Sequence, residues 1–202
     1  MSLSTIILAA GKSTRMLSLK SKLLFKISGD PIIDHVYRTA KSVSSNEIIC
    51  VLGDSPKELL DFVKKNKLKT VLQKKPRGTA DAVKIAIKSK SVKNNNKILI
   101  LCGDVPFISS KSLKAIIKKT NDNDICLGTT LLENPSGYGR IVRQNNNIIK
   151  IVEEKDANNK IKKINEVNTG ILCIKEGVLR KYIQKIKNNN KQKEYYLTDL
   201  VS

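Results

Sequence analysis

The first residues able to do chemistry are Leu8-Ala9-Ala10-Gly11-Lys12-Ser13-Thr14-Arg15-Met16, where an apolar stretch runs straight into small residues and two cations. Small residues after a strand let the backbone approach a ligand, and successive N–H groups form a nest for an anion, to which Lys12 and Arg15 add charge. The pattern suits a triphosphate. It is neither GxxxxGK[ST] nor GxGxxG, because Gly11 is the only glycine between Leu8 and Met16, and alone it equally describes an ordinary βα turn. Lys22, seven residues beyond Arg15, is near enough in sequence to return its ammonium to the same phosphates, although in isolation it is one lysine among many. Gln73-Lys74-Lys75-Pro76-Arg77-Gly78-Thr79-Ala80 supplies an amide that can read a base edge by paired donor and acceptor bonds, and a glycine permitting close backbone approach. Thr79 is expected to cap a helix whose dipole faces an anion. Asp104, in Cys102-Gly103-Asp104-Val105-Pro106, ends an apolar run. A carboxylate there is a natural Mg²⁺ ligand, since that ion keeps waters and takes one or two protein carboxylates. Aspartate also favours turns, so both readings stand.

These groups need strand ends to stand on, and the periodicity supplies them. Strands are expected over residues 5–10, 47–52, 70–73 and 97–102, alternating with helices over 32–43, 56–66, 79–89 and 110–120. Such alternation predicts a three-layer, Rossmann-like α/β domain with a mostly parallel sheet. The loop, Gln73 and Asp104 then lie at the ends of three strands, where open α/β sheets bind ligands. After Asp124 the texture changes. Strands are expected over 125–132, 139–143, 148–153 and 167–174, the middle pair forming a hairpin around an Asn-rich turn, with a helix over 178–187 and another starting in 195–201. This stretch is expected to lie over the end of the sheet as one wall of a pocket. One domain over 1–202 is expected, with a nucleotide-binding part over 1–123 and a second part over 124–202.

The composition excludes several classes. With 202 residues of which 40% are hydrophobic, the chain can build a sizeable core in spite of a net charge of +20. No apolar run approaches the roughly 18 residues of a membrane span, and the N-terminus lacks the basic region of a signal peptide, so a cytoplasmic location and no membrane partner are expected. The lysine excess invites an anionic partner. Lys, Asn and Ile are overused throughout, however, and with 4% aromatics and no Trp, stacking platforms for nucleic acid are scarce, so a nucleic-acid role is disfavoured. Cys50, Cys102, Cys126 and Cys173 are widely spaced within apolar runs and read as reduced core residues. A single histidine, His35, leaves no zinc site or Ser-His-Asp set to assemble.

Taken in order, LAAGKSTRM, Lys22, QKKPRGTADA, GDVP, GYGRIVR, IVEEKDA, EVNTG and EYYLTD resemble the nucleotidyltransferases that activate sugar phosphates. Within them the chain is most similar to the N-terminal uridyltransferase domain of the bifunctional GlmU enzymes, over residues 5–199. The resemblance implies a Mg²⁺-dependent transfer from UTP to N-acetylglucosamine-1-phosphate, giving UDP-N-acetylglucosamine and pyrophosphate for cell-wall amino sugars. It implies nucleotide contacts at Leu8, Ala9, Ala10 and Gly11, with Arg15 and Lys22 on the phosphates, Gln73 and Gly78 on uracil, and Thr79 toward the sugar. Asp104 is implied as the metal ligand, and Gly139, Glu153, Asn168, Tyr196 and Thr198 as the amino-sugar contacts of the 124–202 part. Departures are Ser13 where the family commonly has Gly, Ser21 where it has Pro, and Cys102 where it often has an aromatic residue. The family also carries a second metal ligand, an Asn, and a left-handed β-helix acetyltransferase beyond the EYYLTD segment. Neither lies in these 202 residues, so a fragment of a longer protein or a short form is expected, with oligomeric state left open. Transfer to another sugar-1-phosphate, or a catalytically weak nucleotide-sugar-binding module, remain as alternatives.

Overall fold

Strand β1 (Leu3–Ala9) is LSTIILA, buried at every position but Leu8. A strand that is apolar on both faces must have helices over both, and the computed structural model of the chain, which describes residues 2–11, 21–44, 47–89, 92 and 97–201, places them there. Strands β1, β4 (Ile48–Leu52), β5 (Lys69–Leu72) and β6 (Lys97–Cys102) pair in parallel in the order β5-β4-β1-β6. Helices α1 (Ile32–Lys41), α2 (Lys57–Lys65) and α4 (Ser110–Lys119) bury Ile33, Val36, Leu59, Val63 and Leu113 against Ile7, Cys50, Leu99 and Leu101. On the opposite face α3 (Thr79–Lys88) and α6 (Glu176–Ile183) pack Val83, Ile87, Leu179 and Ile183 against Ile6, Ile49, Ile98 and Ile100. Neighbours such as Ile6 and Ile7 thus enter different cores, as the two-residue period of a strand requires.

The helix ends follow local chemistry. Ser109 caps α4 by accepting from the Ser112 N–H at 3.1 Å, whereas α1 and α2 start directly after Pro31 and Pro56. A 3-10 turn, Lys22–Leu24, and a two-stranded ribbon of β2 (Lys26–Ile27) and β3 (Asp30–Pro31) precede α1. His35 fastens the ribbon through Nε2 and the Ile27 carbonyl, 2.9 Å apart.

The second part continues the same sheet rather than lying over it. Strand β10 (Glu166–Lys175) runs antiparallel beside β6 with Leu172 opposite Ile100, and its other edge carries β7 (Ile125–Leu131). Strand β8 (Arg140–Gln144) pairs with β10 at Val167 and forms the expected hairpin with β9 (Asn147–Val152). Since β7 follows one edge of β10 throughout, β6 and β8 share the other. They are separated by a bulge between Asn168 and Leu172. Gly170 lies in that bulge at φ +76°, and a Cβ there would sit 2.8 Å from Cys102 Sγ. A short helix, α5 (Asn159–Lys162), was not expected, and α6 starts at Glu176 and ends at Ile183, earlier at both ends than the periodicity suggested. The chain closes with a 3-10 turn, Leu197–Val201. No helix among the described residues is long and apolar enough to cross a membrane.

Candidate active site

The carboxyl ends of β1 and β5 and the start of α3 converge on a cleft of about 380 Å³ lined by Leu8, Ala10, Gly11, Gln73, Gly78, Thr79 and Glu194, among others. The structure therefore brings together most of the residues read as nucleotide contacts. Ala9 differs in that its side chain packs in the core, so any contact it makes is through backbone. Arg15, with Lys12 and Ser13, lies outside the described residues.

Gln73 is buried, and its Nε2 donates to the Gly78 carbonyl at 3.2 Å and to Asp81 Oδ2 at 2.8 Å. Both N–H donors are thus engaged in holding the turn into α3. Reading a base by paired donor and acceptor bonds would require one of them to be exchanged. Asp81 had no signal beyond its place in the first turn of α3.

Gly78, not Thr79, is the N-cap of α3, and no side chain caps that helix. The reason is the C-terminal segment. Tyr195 donates to Arg77 O at 2.8 Å and accepts from the Ala80 N–H at 2.9 Å, taking up a free amide of the first turn. The Thr79 hydroxyl accepts from the Leu197 N–H at 2.9 Å. A Cβ on Gly78, whose φ is +106°, would lie 2.5 Å from Tyr195 O, so only glycine admits this approach.

At the end of β6, Gly103 donates to Leu8 O at 2.9 Å, fixing the following residue beside the β1 loop. Asp104 Oδ2 there meets Lys22 Nζ at 2.5 Å, with side chains 37% and 31% exposed respectively. A reachable carboxylate beside a lysine suits Mg²⁺ carried in by a triphosphate, which supplies the other oxygens. Among the described residues no group of three or more His, Cys, Asp or Glu is arranged to hold a metal.

Across Cys102 lie the residues read as sugar contacts. Burial pushes the Cys102 thiol up to about 12, with Asp104 and Glu153 adding to the effect and Lys22 opposing it. The half-buried Cys102 thiol thus feels charge both from the Lys22–Asp104 pair and from Glu153. Glu153 accepts from Thr198 Oγ1 at 3.0 Å. Burial raises its carboxyl above the ordinary value, the Thr198 bond opposes, and the charges of Asp199, Asp156 and Glu194 add to the rise. Gly139 lies close to it, since an added Cβ would stand 3.4 Å from Glu153 Oε2. The Gly139 carbonyl accepts from the Asn168 N–H at 2.9 Å, and Asn168 Oδ1 accepts from the Gly170 N–H at 3.1 Å. Tyr196 is buried with its hydroxyl accepting from Gln192 Nε2 at 2.8 Å. Its hydroxyl is pushed up to about 12, by burial first.

Arg140 escaped the sequence reading, because a charged residue in an alternating strand reads as solvent-facing. Its side chain is 2% exposed. Glu194, which lines the nucleotide cleft, likewise reads as one charge in a Lys-rich tail.

With this geometry in hand, a nucleotidyl transferase family model matches residues 4–202. The bifunctional protein GlmU of Buchnera aphidicola subsp. Acyrthosiphon pisum is 40% identical over 197 residues, covering 98% of this chain and 42% of that protein. Its namesake in Francisella tularensis subsp. novicida is 40% identical over 203 residues, covering 100% and 44%. The chain spans less than half the length of these curated relatives. Among solved structures, UDP-glucose pyrophosphorylase complexed with UDP-glucose superposes with a TM-score of 0.78 at 18% identity, covering 100% of this chain and 86% of that one. A putative glucose-1-phosphate thymidylyltransferase from Bacillus anthracis gives 0.76 at 20% identity, covering 98% and 81%. At such identities the two structures speak for the fold alone.

Proposed function

The chain belongs to the nucleotidyl transferase family, and from that premise we propose that it transfers a uridylyl group from UTP to N-acetylglucosamine-1-phosphate, releasing pyrophosphate. The observation that carries this reading is the convergence at Cys102. Gly103, between Cys102 and Asp104, bonds to Leu8 of the cleft, Cys102 Sγ meets the carbonyl of Gly170 beside Asn168 at 3.7 Å, and residues 195–198 bond to both Thr79 and Glu153, with the Lys22–Asp104 pair next to Cys102 at the end of β6. Two ligands bound on the two sides of Cys102 would meet at Lys22 and Asp104.

A sugar-phosphate oxygen attacks the α-phosphorus in line, its bond to phosphorus forming as the bond to the bridging oxygen of pyrophosphate breaks. The nucleophile is already an anion and needs no general base. The chain's task is to hold two repelling anions together and to meet charge that grows in the transition state. Lys22, released from Asp104, and Arg15 place cations on the phosphates. Mg²⁺ held by Asp104 would supply further neutralisation and align the triphosphate. Glu153 and Asn168 accept from and donate to sugar hydroxyls, beside the backbone of Gly139. The 40% identity to GlmU proteins supports the substrate pair, and with it a cytoplasmic role in supplying amino sugar for the cell wall.

Pyrophosphate release by the 202-residue chain with UTP, N-acetylglucosamine-1-phosphate and Mg²⁺ tests the reading. Release is expected with this pair and only weakly with glucose-1-phosphate or other nucleotides. Preference for another pair would overturn the substrates while leaving nucleotidyl transfer, and UTP binding without release would make the chain a binding module.

A further inference from the structure

We propose that Arg140 is the positioning residue of the sugar-phosphate side, a buried guanidinium that locks the Tyr138–Gly139 backbone to the Glu153–Glu154 turn so that both meet the sugar as one preformed surface. The inference rests on the proposed function only for the identity of that ligand.

The argument starts from burial. Arg140 heads the large side chains that are almost wholly enclosed, at 1% residue exposure. One terminal nitrogen, Nη1, donates to the carbonyl of Tyr138. The other, Nη2, meets Glu154 Oε2 at 2.7 Å. That same Oε2 accepts from the Gly137 N–H at 3.2 Å, so a single cation gathers the loop before β8 and the turn after β9. Each end of the clamp is the chain neighbour of a candidate sugar contact. Gly139 follows Tyr138 and Glu153 precedes Glu154, and the two contacts are close neighbours, since a Cβ added at Gly139 would lie 3.4 Å from Glu153 Oε2. In the ladder Arg140 stands opposite Val152 on one side and Val167 on the other, next to Asn168, whose N–H bonds Gly139 O at 2.9 Å. The side chain of Arg140 thus holds the chain neighbours of Gly139 and Glu153, and Asn168 joins them through backbone pairing.

Energetics say what the clamp is for. A buried guanidinium facing one carboxylate recovers its desolvation cost poorly, and replacing both partners of such a pair by well-packed apolar side chains often costs no stability, whereas removing one partner alone does. Here the recovery is incomplete, because among the described residues Nε has no hydrogen-bond partner. What an apolar side chain cannot do is hold a carbonyl and a carboxylate at fixed spacing, as the planar fork of arginine does. Arg140 contributes geometry.

The test uses Arg140→Met and Arg140→Lys in the 202-residue chain, with pyrophosphate release measured against each substrate separately. For Arg140→Met the KM for the sugar phosphate is expected to rise about tenfold or more, with the KM for UTP and kcat within about threefold. Arg140→Lys should recover only part, since one ammonium cannot span both acceptors. In free protein, amide exchange should lose protection at 137–139 and 153–154 while β1, β4 and β6 keep theirs. Equal shifts in both KM values, a fall in kcat alone, or unchanged exchange at 137–139 overturns the clamp. So does a uniform loss of protection with a lowered Tm, which would make Arg140 an ordinary structural residue. Should Arg140→Met fail to fold, Arg140→Lys is judged by the same criteria. The exchange measurement needs no substrate, so a chain that proved inactive or selective for another sugar would overturn the proposed function without touching the clamp.

Discussion

Lys22 and Asp104 were read from sequence for different tasks, one on phosphates and one on a metal, yet the structure joins them at 2.5 Å. With each side chain about a third exposed, such a pair adds on the order of 0–1 kcal/mol to stability, so removing either partner separates function from folding. Lys22→Ala is expected to lower kcat by about 100-fold or more while UTP affinity falls only a few-fold, because its cation matters most where transition-state charge develops. Equal losses in both would sink that role. Asp104→Asn should abolish Mg²⁺-dependent pyrophosphate release with the Tm changed by no more than about 2 °C, and unaltered activity would remove Asp104 from the chemistry. Glu153 carries the opposite balance. Its carboxyl is raised by burial, against the Thr198 bond, and by three neighbouring carboxylates. A folded value above the unfolded one means that ionisation costs stability at neutral pH, a cost that fades as pH falls through the raised folded value and is gone below the ordinary 4.5. Glu153→Gln is therefore expected to raise the Tm by about 2–4 °C near neutral pH, with wild type and variant converging in acid. A difference independent of pH would show that ionisation is not its source. The same variant should bind the sugar phosphate less well, separating what the site needs from what the fold needs.

Among the elements, the segment from Tyr195 to Val201 decides most, since it docks on the start of α3, takes up its Ala80 amide and reaches Glu153. Gly78→Ala pushes a Cβ toward Tyr195 O at 2.5 Å and strains a φ of +106°. It should cost about 2–4 kcal/mol and release the amides of Ala80 and Tyr195 to exchange; a Tm matching wild type would show that the segment can dock elsewhere. That segment also marks the limit of sequence reading. Strand β6 was legible to the residue, and α3 and α4 to one position, because long apolar runs and amphipathic periods are local signals. The docking of residues 195–198 on α3 is not local, and it displaced Thr79 from the cap that its sequence position suggested. Likewise the antiparallel entry of β10 beside β6 depends on a bulge at a lone glycine, which the sequence shows only as EVNTG. In the site, the motifs placed Gln73, Asp104 and Glu153 near the cleft, since strand ends are legible. Two of the partners that engage them, Lys22 for Asp104 and Thr198 for Glu153, are set by packing between distant segments, while Asp81 reaches Gln73 from the first turn of the next helix.

At the scale of the molecule, the two parts form one eight-stranded sheet with a core on each face, so the cleft is framed by a continuous scaffold instead of a hinge between domains. Over this scaffold lies a net charge of +20, with Lys97 the one buried lysine among the described residues and its Nζ bonded to the Ile117 carbonyl at 2.9 Å. The remaining described lysines are spread over the surface, so their combined field reaches solvent on the scale of a Debye length, about 10 Å at 0.1 M salt. Both proposed substrates are anions, and a cationic surface raises their encounter rate by steering. Inside the cleft the close contacts of Lys22 are shielded from salt far better than this outer field. Raising NaCl from roughly 20 to 300 mM should therefore lower kcat/KM for both substrates severalfold while kcat changes by less than about twofold. If kcat/KM were flat across that range, the lysine excess would contribute nothing to substrate capture. A fall in kcat alone would place the salt-sensitive charges at the chemical step, in Lys22 and its neighbours and not on the surface.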